Sequence, residues 1–456
     1  MTDQLTTTEP LSFDGTLLHP GDPGWDDARR AWQLRADQHP AAIVRAGSVR
    51  DVITTVRRAA ELGLRVAPQA TGHNAGPLGP LDGTALLRTG DLRDVTIDPQ
   101  RRIARVGAGA LWGDVTVAAA EHGLAALAGS SRDVGVVGYT LGGGVSWLGR
   151  AHGPAAGQVT AAEIVTADGE LLRVDDEHHP DLFWAIRGGG GSFGVVTALE
   201  FRLFPITEVQ AGALFWPIER AAEVLHAWRE WADEVPDTVT SVGRLLRFPP
   251  LPEIPEPVRG RSLVAIELAS LEGPVATELL LRRLRALGPE MDTVHSQSPV
   301  DLADLHMDPP TPVPGIGDGT GLAAFPVESL DALLATVGPD STLPPLLSVE
   351  IRQLGGALAR PVGAVSGLDA AVVVFAVTIA PDDGAAAAAT TTLDALASAL
   401  APWAAESTYL NFVERAGTRT FPAATLRRLR SVKTTYDPAD RIRANHPVAP
   451  FGPAGS

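Results

Sequence analysis

Three clusters of glycine in the first half of the chain have the composition of loops that bind an anion. They read TGHNAG at residues 71–76, GYTLGGG at 138–144 and RGGGGSFG at 187–194. Glycine lacks the side chain that would keep a phosphate from the backbone, and it allows successive N–H groups to point into one concavity. Any one cluster alone is better explained as an ordinary turn, so the prediction of an anion site depends on all three.

His73 lies in the first cluster between a glycine and an asparagine, in a loop and not on the apolar face of a helix. Neutral imidazole is a nucleophile, so a histidine in this position could tether a flavin by a covalent bond. The alternative is a solvated or hydrogen-bonded loop histidine, which is commoner. The residue type by itself leaves both interpretations open.

Two glycine runs require comparison with the fingerprint of nicotinamide dinucleotide-binding domains. Gly189, Gly191 and Gly194 spell GxGxxG, but that motif precedes a helix, whereas VVTALEFRLF follows here and alternates like a strand. The run from Gly107 to Gly113 does lead from a strand pattern into a helix pattern. Its spacing is GxGxxxG, and no acidic residue follows at the position that would hold a ribose. A nicotinamide-dependent dehydrogenase remains an alternative prediction.

Composition excludes several other classes. The chain has 456 residues with 45% hydrophobic content, which is ample for two domains. A net charge of -17 argues against nucleic acid and anionic membranes as partners. The absence of cysteine excludes disulfides, thiolate metal sites and cysteine nucleophiles. No metal-binding tract, GxSxG elbow, signal-peptide pattern or membrane-spanning run is present, so we expect a soluble cytoplasmic protein without a metal.

The element pattern changes near Pro205. From residue 26 to 203, strand-like and helical runs alternate, including a predicted helix over residues 49–62. Beyond that point AGALFWPI, VTSVGRLLRF and SLVAIELASL predict strands, and ERAAEVLHAWREWADE and PVATELLLRRLRALG predict amphipathic helices. The proline-rich stretches FPPLPEIPEPVRG and DPPTPVPGIGDG predict loops, and DGAAAAATTTLDALASAL predicts a surface helix.

Four motifs occur in order across residues 40–206: ATGHNAG, GLAALAGSSRDVGVVGYTLGGG, EIVTADGELLRVD and PDLFWAIRGGGGSFGVVTALEFRL. With VEIRQLGGAL, STYLNF and RLRSVKTTYDPADRIRANHPV further on, the chain resembles the berberine-bridge-enzyme-like branch of the vanillyl-alcohol-oxidase and p-cresol-methylhydroxylase flavoproteins. The resemblance implies an α+β fold in which residues 1–206 form a two-part FAD-binding domain of the p-cresol-methylhydroxylase type. Residues 207–417 would form an α+β substrate domain, an antiparallel sheet flanked by helices, and residues 418–456 would return to the FAD domain.

The same resemblance implies which residues hold FAD. In that family the glycine-histidine loop contacts the pyrophosphate and its histidine bonds to the 8α methyl of the flavin, which makes His73 the expected tether. Many relatives add a cysteinyl bond from the position of Ser131, which this cysteine-free chain cannot form. Relatives also carry a tyrosine and an aspartate where His152 and Gly157 stand, so the flavin surroundings differ there. The other expected FAD contacts are Thr71, Gly72, Asn74, Gly135, Gly138, Leu141, Gly142, Gly143, Gly194, Val196 and Asn445.

Two further segments supply candidate catalytic residues. If TYLNF is a strand, Tyr409 and Asn411 share one face. The resemblance implies that both lie at the flavin or the substrate, Tyr409 as an acid/base or orienting group and Asn411 as a flavin contact. An ordinary pair of hydrogen-bonded residues at a sheet edge is the alternative.

In VEIRQ the apolar face that holds Val349 and Ile351 ends in Gln353, which we expect to orient the substrate. Glu350 and Arg352 share the opposite face, where a surface ion pair is the alternative interpretation.

The functional expectation is an FAD-dependent oxidoreductase, more precisely an oxidase. It would take a hydride from a C–H bond next to oxygen or nitrogen of a small organic substrate, such as a sugar, an alcohol or a secondary metabolite, with O2 as the acceptor. Besides the nicotinamide-dependent dehydrogenase, the alternative is a catalytically degenerate flavin- or ligand-binding protein, since His152 and Gly157 depart from the family pattern.

Overall fold

The computed structural model describes residues 13–415 and 420–452. The predicted boundary between residues 417 and 418 and most of the N-terminal segment assessed for a signal pattern lie outside the described residues. The described chain builds three sheets, two before residue 206 and one after it. Within this part of the chain, no helix combines the length and the apolar character needed to cross a membrane.

The first sheet is small and mixed. Its strands are β1 (Thr16–Leu18), β2 (Ala42–Arg45), β3 (Arg65–Gln69) and β4 (Thr84–Arg88). They are ordered β1-β2-β4-β3, and β4 runs parallel to both β2 and β3. Helices α1 (Trp25–Arg29) and α2 (Val49–Glu61) belong to this part. The predicted helix over residues 49–62 is α2, and it buries Val52, Val56 and Ala59 as its spacing requires.

The second sheet is antiparallel and lies next along the chain. Its strands are β5 (Val95–Asp98), β6 (Ile103–Gly107), β7 (Val159–Val165), β8 (Leu171–Val174) and β9 (Val195–Arg202), in the order β5-β6-β9-β7-β8. Its helices are α3 (Trp112–Ala120), α4 (Val136–Leu141), α5 (Gly149–His152) and α6 (Pro180–Ile186). As predicted, a strand and not a helix follows Gly194, and a strand-to-helix passage surrounds Gly107–Gly113.

The third sheet is antiparallel and has helices on one face. Its strands are β10 (Val209–Pro217), β11 (Val239–Arg247), β12 (Ser262–Ser270), β13 (Met291–Asp292), β14 (His295–Gln297), β15 (Gly315–Leu322), β16 (Ser348–Gln353) and β17 (Val372–Ile379). They are ordered β13-β10-β12-β11-β16-β17-β15, and β14 also pairs with β10. The helices are α7 (Ala221–Glu234), α8 (Pro274–Arg285), α9 (Val327–Val337) and α10 (Asp383–Leu400). The predicted α+β class, with an antiparallel sheet flanked by helices, is confirmed.

The orientation of β16 reverses one sequence prediction. Val349 and Ile351 pack into the core formed with the helices, and Gln353 points to the same side. The Gln353 amide donates to the carbonyl oxygen of Ala232 at 2.5 Å and accepts from the Ser241 hydroxyl at 2.9 Å. Gln353 is therefore a buried structural residue, and its prediction as a substrate-orienting group is wrong because the apolar face covers the helices.

Two segments differ from their predicted conformation. The proline-rich segment at residues 308–319 ends in β15, since Gly315, Gly317 and Gly319 belong to that strand. A Cβ atom on Gly319 would lie only 2.7 Å from the Cβ of Phe412, so glycine at this position lets the segment that contains Phe412 pack against β15. The second difference is in TYLNF, which is not a strand as predicted, because Leu410–Phe412 forms a 3-10 turn.

The chain returns to the first two sheets through its last described residues. Helix α11 (Ala423–Tyr436) buries Lys433, the only lysine of the protein. The Lys433 ammonium lies 2.6 Å from Asp437 and donates to the carbonyl oxygen of Ser192 at 2.8 Å, which fixes the third glycine cluster. A further bridge joins Ile442 to Val66 in β3.

Candidate functional site

A cavity of about 310 Å³ opens between the three glycine clusters, β16 and the segment at residues 409–412. Most of the predicted site residues meet there. The cavity wall includes Thr71, Gly72, His73, Asn74, Gly135, Gly138, Leu141, Gly142, Gly194, Val196, Tyr409, Asn411 and Asn445. Gly143 is the one predicted cofactor residue that is absent from the wall, and its carbonyl oxygen instead accepts from the backbone N–H of Ala156 at 2.9 Å.

Close backbone packing explains why glycine occurs at several wall positions. At Gly72, φ is 82°, and an added Cβ would lie 2.3 Å from the Gln69 side chain. At Gly142, an added Cβ would lie 1.7 Å from the Oδ1 atom of Asn411. Neither position can carry a side chain without displacing a wall residue, so the cavity depends on glycine at both.

Several buried polar atoms at the wall have no hydrogen-bond partner among the described residues. They are both amide atoms of Gln69, the Nε2 atom of His73 and the Oδ1 atom of Asn74. Buried polar groups in native proteins are nearly always paired, so these atoms indicate a polar ligand. This arrangement fits a dinucleotide such as FAD. The glycine clusters line the cavity, and the unpaired buried donors and acceptors would bind its polar groups.

His73 is held on three sides. Its ring stacks on Trp32 with 4.2 Å between centroids and 17° between planes, and its Nδ1 atom lies 2.8 Å from the Thr71 hydroxyl. Its Nε2 atom lies 3.4 Å from Oδ1 of Asp133, and the other oxygen of Asp133 accepts from the Trp32 indole at 2.6 Å. Sequence reasoning found His73 but not Trp32 or Asp133, because no local pattern links residues so far apart in the chain.

Tyr409 and Asn411 form a bonded pair inside the cavity, although not on a strand. The Tyr409 oxygen accepts from the Asn411 amide at 2.7 Å and from the Val145 backbone N–H at 3.0 Å. Burial raises the pKa of Tyr409 to about 12, despite these donors and the nearby Arg352. Tyr409 is therefore protonated at neutral pH, which favours the predicted orienting role over that of a base.

Arg352 lines the same end of the cavity and was not predicted as a site residue. Its guanidinium lies 5.4 Å from the Phe412 ring, 3.3 Å from Glu350 and 2.6 Å from the Nε2 atom of His306. Its Nε atom is buried without a hydrogen-bond partner among the described residues. The predicted surface pair of Glu350 and Arg352 is thus a buried one, since both side chains are at most 7% exposed.

A second buried ion pair, between Arg244 and Glu267, is connected to Arg352 through His306. Arg244 contacts Glu267 at 2.7 Å, and His306 makes a short hydrogen bond to the other oxygen of Glu267. The partners outweigh burial and lower the pKa of Glu267 to about 2. Buried charges of this kind need pairing, and Arg352 lies at the cavity wall with its Nε atom unpartnered among the described residues.

The positions that depart from the family pattern lie at the margin of the cavity or outside it. Ser131 is at the wall and donates to Asp308 at 2.6 Å, so its hydroxyl is already engaged. His152 packs on Phe204 with 4.1 Å between ring centroids, and Gly157 lies against Val362. Neither His152 nor Gly157 reaches the cavity wall, which weakens the prediction of a degenerate protein.

Comparisons with known proteins agree with this geometry. Residues 40–175 match the family described as FAD binding domain. The (R)-6-hydroxynicotine oxidase of Paenarthrobacter nicotinovorans is 37% identical over 217 residues, which are 47% of this chain and 47% of that protein. The xylooligosaccharide oxidase of Thermothelomyces thermophilus is 32% identical over 214 residues, 45% of this chain and 43% of that protein. The matched segment thus spans about half the length of these curated relatives.

Solved structures extend the likeness over nearly the whole chain. The 6-hydroxy-D-nicotine oxidase from Arthrobacter nicotinovorans superposes with a TM-score of 0.83 at 26% identity, covering 98% of this chain and 100% of that one. The berberine-bridge-enzyme-like protein 1 of Physcomitrella patens superposes with a TM-score of 0.84 at 19% identity, covering 96% and 98%, and shares the fold. Gly107–Gly113 lie within the matched FAD-binding segment, which removes the basis for a nicotinamide cofactor.

Proposed function

Since this chain belongs to the FAD-linked oxidoreductases of the vanillyl-alcohol-oxidase and p-cresol-methylhydroxylase superfamily, we propose that it is an oxidase of small organic molecules. The observation that carries this proposal is the cavity in which the glycine clusters and His73 meet Tyr409, Asn411 and Arg352. Bound there, FAD would accept a hydride from a substrate C–H bond next to oxygen or nitrogen and would pass the electrons to O2.

We propose that one covalent bond and the three glycine clusters hold FAD. His73 would bond to the 8α methyl of the flavin, since this residue lies at the wall and its Nε2 atom has no hydrogen-bond partner among the described residues. The backbone of the glycine clusters would face the pyrophosphate, with Arg443 as a nearby positive charge at the wall. No cysteine is available for a second bond. The proposed division is an FAD domain at 1–206, a substrate domain at 207–417 and a returning segment at 418–456.

We assign substrate orientation to Arg352 and Tyr409. Arg352 has a buried Nε–H donor without a partner among the described residues, which would bind an electron-rich oxygen of the substrate. The Tyr409 hydroxyl accepts two hydrogen bonds and keeps its own proton free to donate. The rings of Phe412 and Tyr409, 5.0 Å apart, would cover an apolar or cyclic part of the substrate.

The experiment is a reduction assay on the purified holoprotein. Its visible absorption is recorded without oxygen in the presence of cyclic amines, 6-hydroxynicotine and xylooligosaccharides, and air is then admitted while hydrogen peroxide is measured. We expect bleaching by at least one substrate class and recovery with peroxide formation. A flavin that remains reduced in air would contradict the oxidase assignment, and a colourless protein would contradict FAD binding altogether.

The covalent bond is tested separately by acid precipitation. We expect the yellow colour to remain with the precipitated wild-type protein and to be released from His73→Ala, which should still bind FAD through the glycine clusters. Free FAD from the wild-type protein would contradict the tether without contradicting the oxidase function.

A further inference from the structure

The side chains around His73 form an assembly that restrains the ring and leaves one nitrogen available. Trp32 stacks on one face of His73, and Thr71 contacts the Nδ1 atom. The Nε2 atom is buried without a hydrogen-bond partner among the described residues, and Oδ1 of Asp133 lies 3.4 Å from it. When the Thr71 hydroxyl donates to Nδ1, the single proton of the neutral ring is on Nε2, and Oδ1 of Asp133 lies 3.4 Å from that nitrogen.

Asp133 is itself fixed in place. Its second oxygen accepts from the Trp32 indole N–H at 2.6 Å, so the residue that stacks on His73 also orients the carboxylate. Burial would raise the pKa of Asp133, but the contact with His73 and the hydrogen bond from Trp32 outweigh it and hold that pKa below its ordinary value. Asp133 is therefore ionised at neutral pH and able to receive a proton.

We propose that Asp133 is the base for covalent attachment of FAD to His73, and that Trp32 is the positioning residue for both. The proposal rests on the proposed His73 tether. The Nε2–C bond to the 8α methyl carbon forms while the Nε2–H bond and one methyl C–H bond break. Asp133 receives the Nε2 proton. The electron pair of the broken C–H bond reduces the flavin ring by two electrons. The methyl proton, and the Nε2 proton that Asp133 then passes on, complete that reduction and leave Asp133 ionised again. Dioxygen then reoxidises the ring and is reduced to hydrogen peroxide.

This assignment explains why an imidazole in a polar loop would react at one nitrogen. A base that receives a proton in the transition state contributes on the order of 100-fold to 10,000-fold in rate. Stacking on Trp32 and the contact with Thr71 restrict rotation of the ring, which lowers the entropy lost in reaching the attacking geometry. Removal of the Asp133 charge should therefore slow the attachment and leave FAD binding intact.

The test compares Asp133→Asn, Asp133→Glu and Trp32→Phe with the wild-type holoprotein. Total FAD is measured from the absorption of the native protein, and bound FAD from the mass of the intact chain after acid precipitation. Conversion of non-covalent to covalent FAD is then followed in air. Asp304→Asn is the matched control, since Asp304 is a carboxylate paired with the neighbouring Arg132 but does not face His73.

We expect Asp133→Asn to contain FAD but to release it in acid, with attachment slowed by at least about 100-fold. Asp133→Glu should restore attachment in part. Trp32→Phe keeps a stacked ring but loses the N–H donor, and it should slow attachment less than Asp133→Asn. Asp304→Asn should match the wild type.

Complete attachment in Asp133→Asn would overturn the role of Asp133 while the His73 tether stands. Should Asp133→Asn fail to fold, Asp133→Ser takes its place, and attachment at the wild-type rate in Asp133→Ser would overturn the role of Asp133 equally. If the wild-type protein itself releases FAD in acid, the tether fails and this inference fails with it.

Discussion

The buried pair of Lys433 and Asp437 allows a sharp test of how the C-terminal segment holds the cofactor loops. Both side chains are 0% exposed and lie 2.6 Å apart. Replacement of one partner of a buried ion pair leaves an unpaired charge and costs about 3–5 kcal/mol. Asp437 keeps hydrogen bonds from the backbone N–H groups of Arg441 and Ile442 at 2.8 Å, which softens the loss. We therefore expect Lys433→Met to lower the free energy of unfolding by about 3 kcal/mol.

The assay is urea unfolding of the full chain at neutral pH, followed by circular dichroism, for Lys433→Met, Asp437→Asn and the double variant. The coupling energy between the two sites should reach about 1–3 kcal/mol, because the residues share one network. The control is Arg50→Met. Arg50 pairs with Asp14 at the same order of distance, 2.9 Å, but both side chains are exposed. Its loss should change the free energy of unfolding by less than about 1 kcal/mol.

Lys433→Met also removes the donor to the Ser192 carbonyl oxygen, which lies within the third glycine cluster. We expect faster hydrogen exchange of residues 188–194 in this variant, whereas Arg50→Met should leave it unchanged. If Lys433→Met and Arg50→Met destabilise the chain equally, the reasoning from burial is wrong.

Three further predictions concern the cavity and pH. Tyr409→Phe should slow flavin reduction without changing its pH profile between about pH 6 and 9, because burial raises the pKa of Tyr409 to about 12 and keeps it protonated throughout; stopped-flow reduction measures both. Gly142→Ala should weaken FAD retention, since its Cβ would lie 1.7 Å from Oδ1 of Asn411, whereas Gly273→Ala, whose Cβ would meet nothing within 4 Å, should not; FAD content by absorption decides. Burial lowers the pKa of His446 to about 4 from an ordinary 6.5, so the unfolded chain takes up a proton first and stability falls as the pH drops from 6.5 towards 4. Between about pH 7 and 4.5, the free energy of unfolding of His446→Phe should fall less than that of the wild type, by up to about 3 kcal/mol. Equal shifts of the urea midpoint in the wild type and in His446→Phe would refute this prediction.

The parts of the site that depend on local composition could be predicted from the sequence. The glycine clusters were recognisable because positive φ angles and close backbone packing, as at Gly72 and Gly142, favour a residue without a side chain and so leave a glycine-rich composition in the sequence. His73 was recognisable because it lies in one of these loops. The helices and strands of the third sheet were predictable because their apolar residues recur at the spacing of one buried face.

Which face of β16 meets the cavity could not be predicted from the sequence and follows from the packing of the whole chain. Alternation separates Glu350 and Arg352 from Val349 and Ile351, but both faces of this strand are buried, so its pattern carries no sign of which one covers the helices. The same limit hid the assembly at His73, since Trp32 and Asp133 meet through a hydrogen bond across 101 positions of sequence. Contacts of that kind arise from the packing of separate elements, and no short stretch of sequence encodes them.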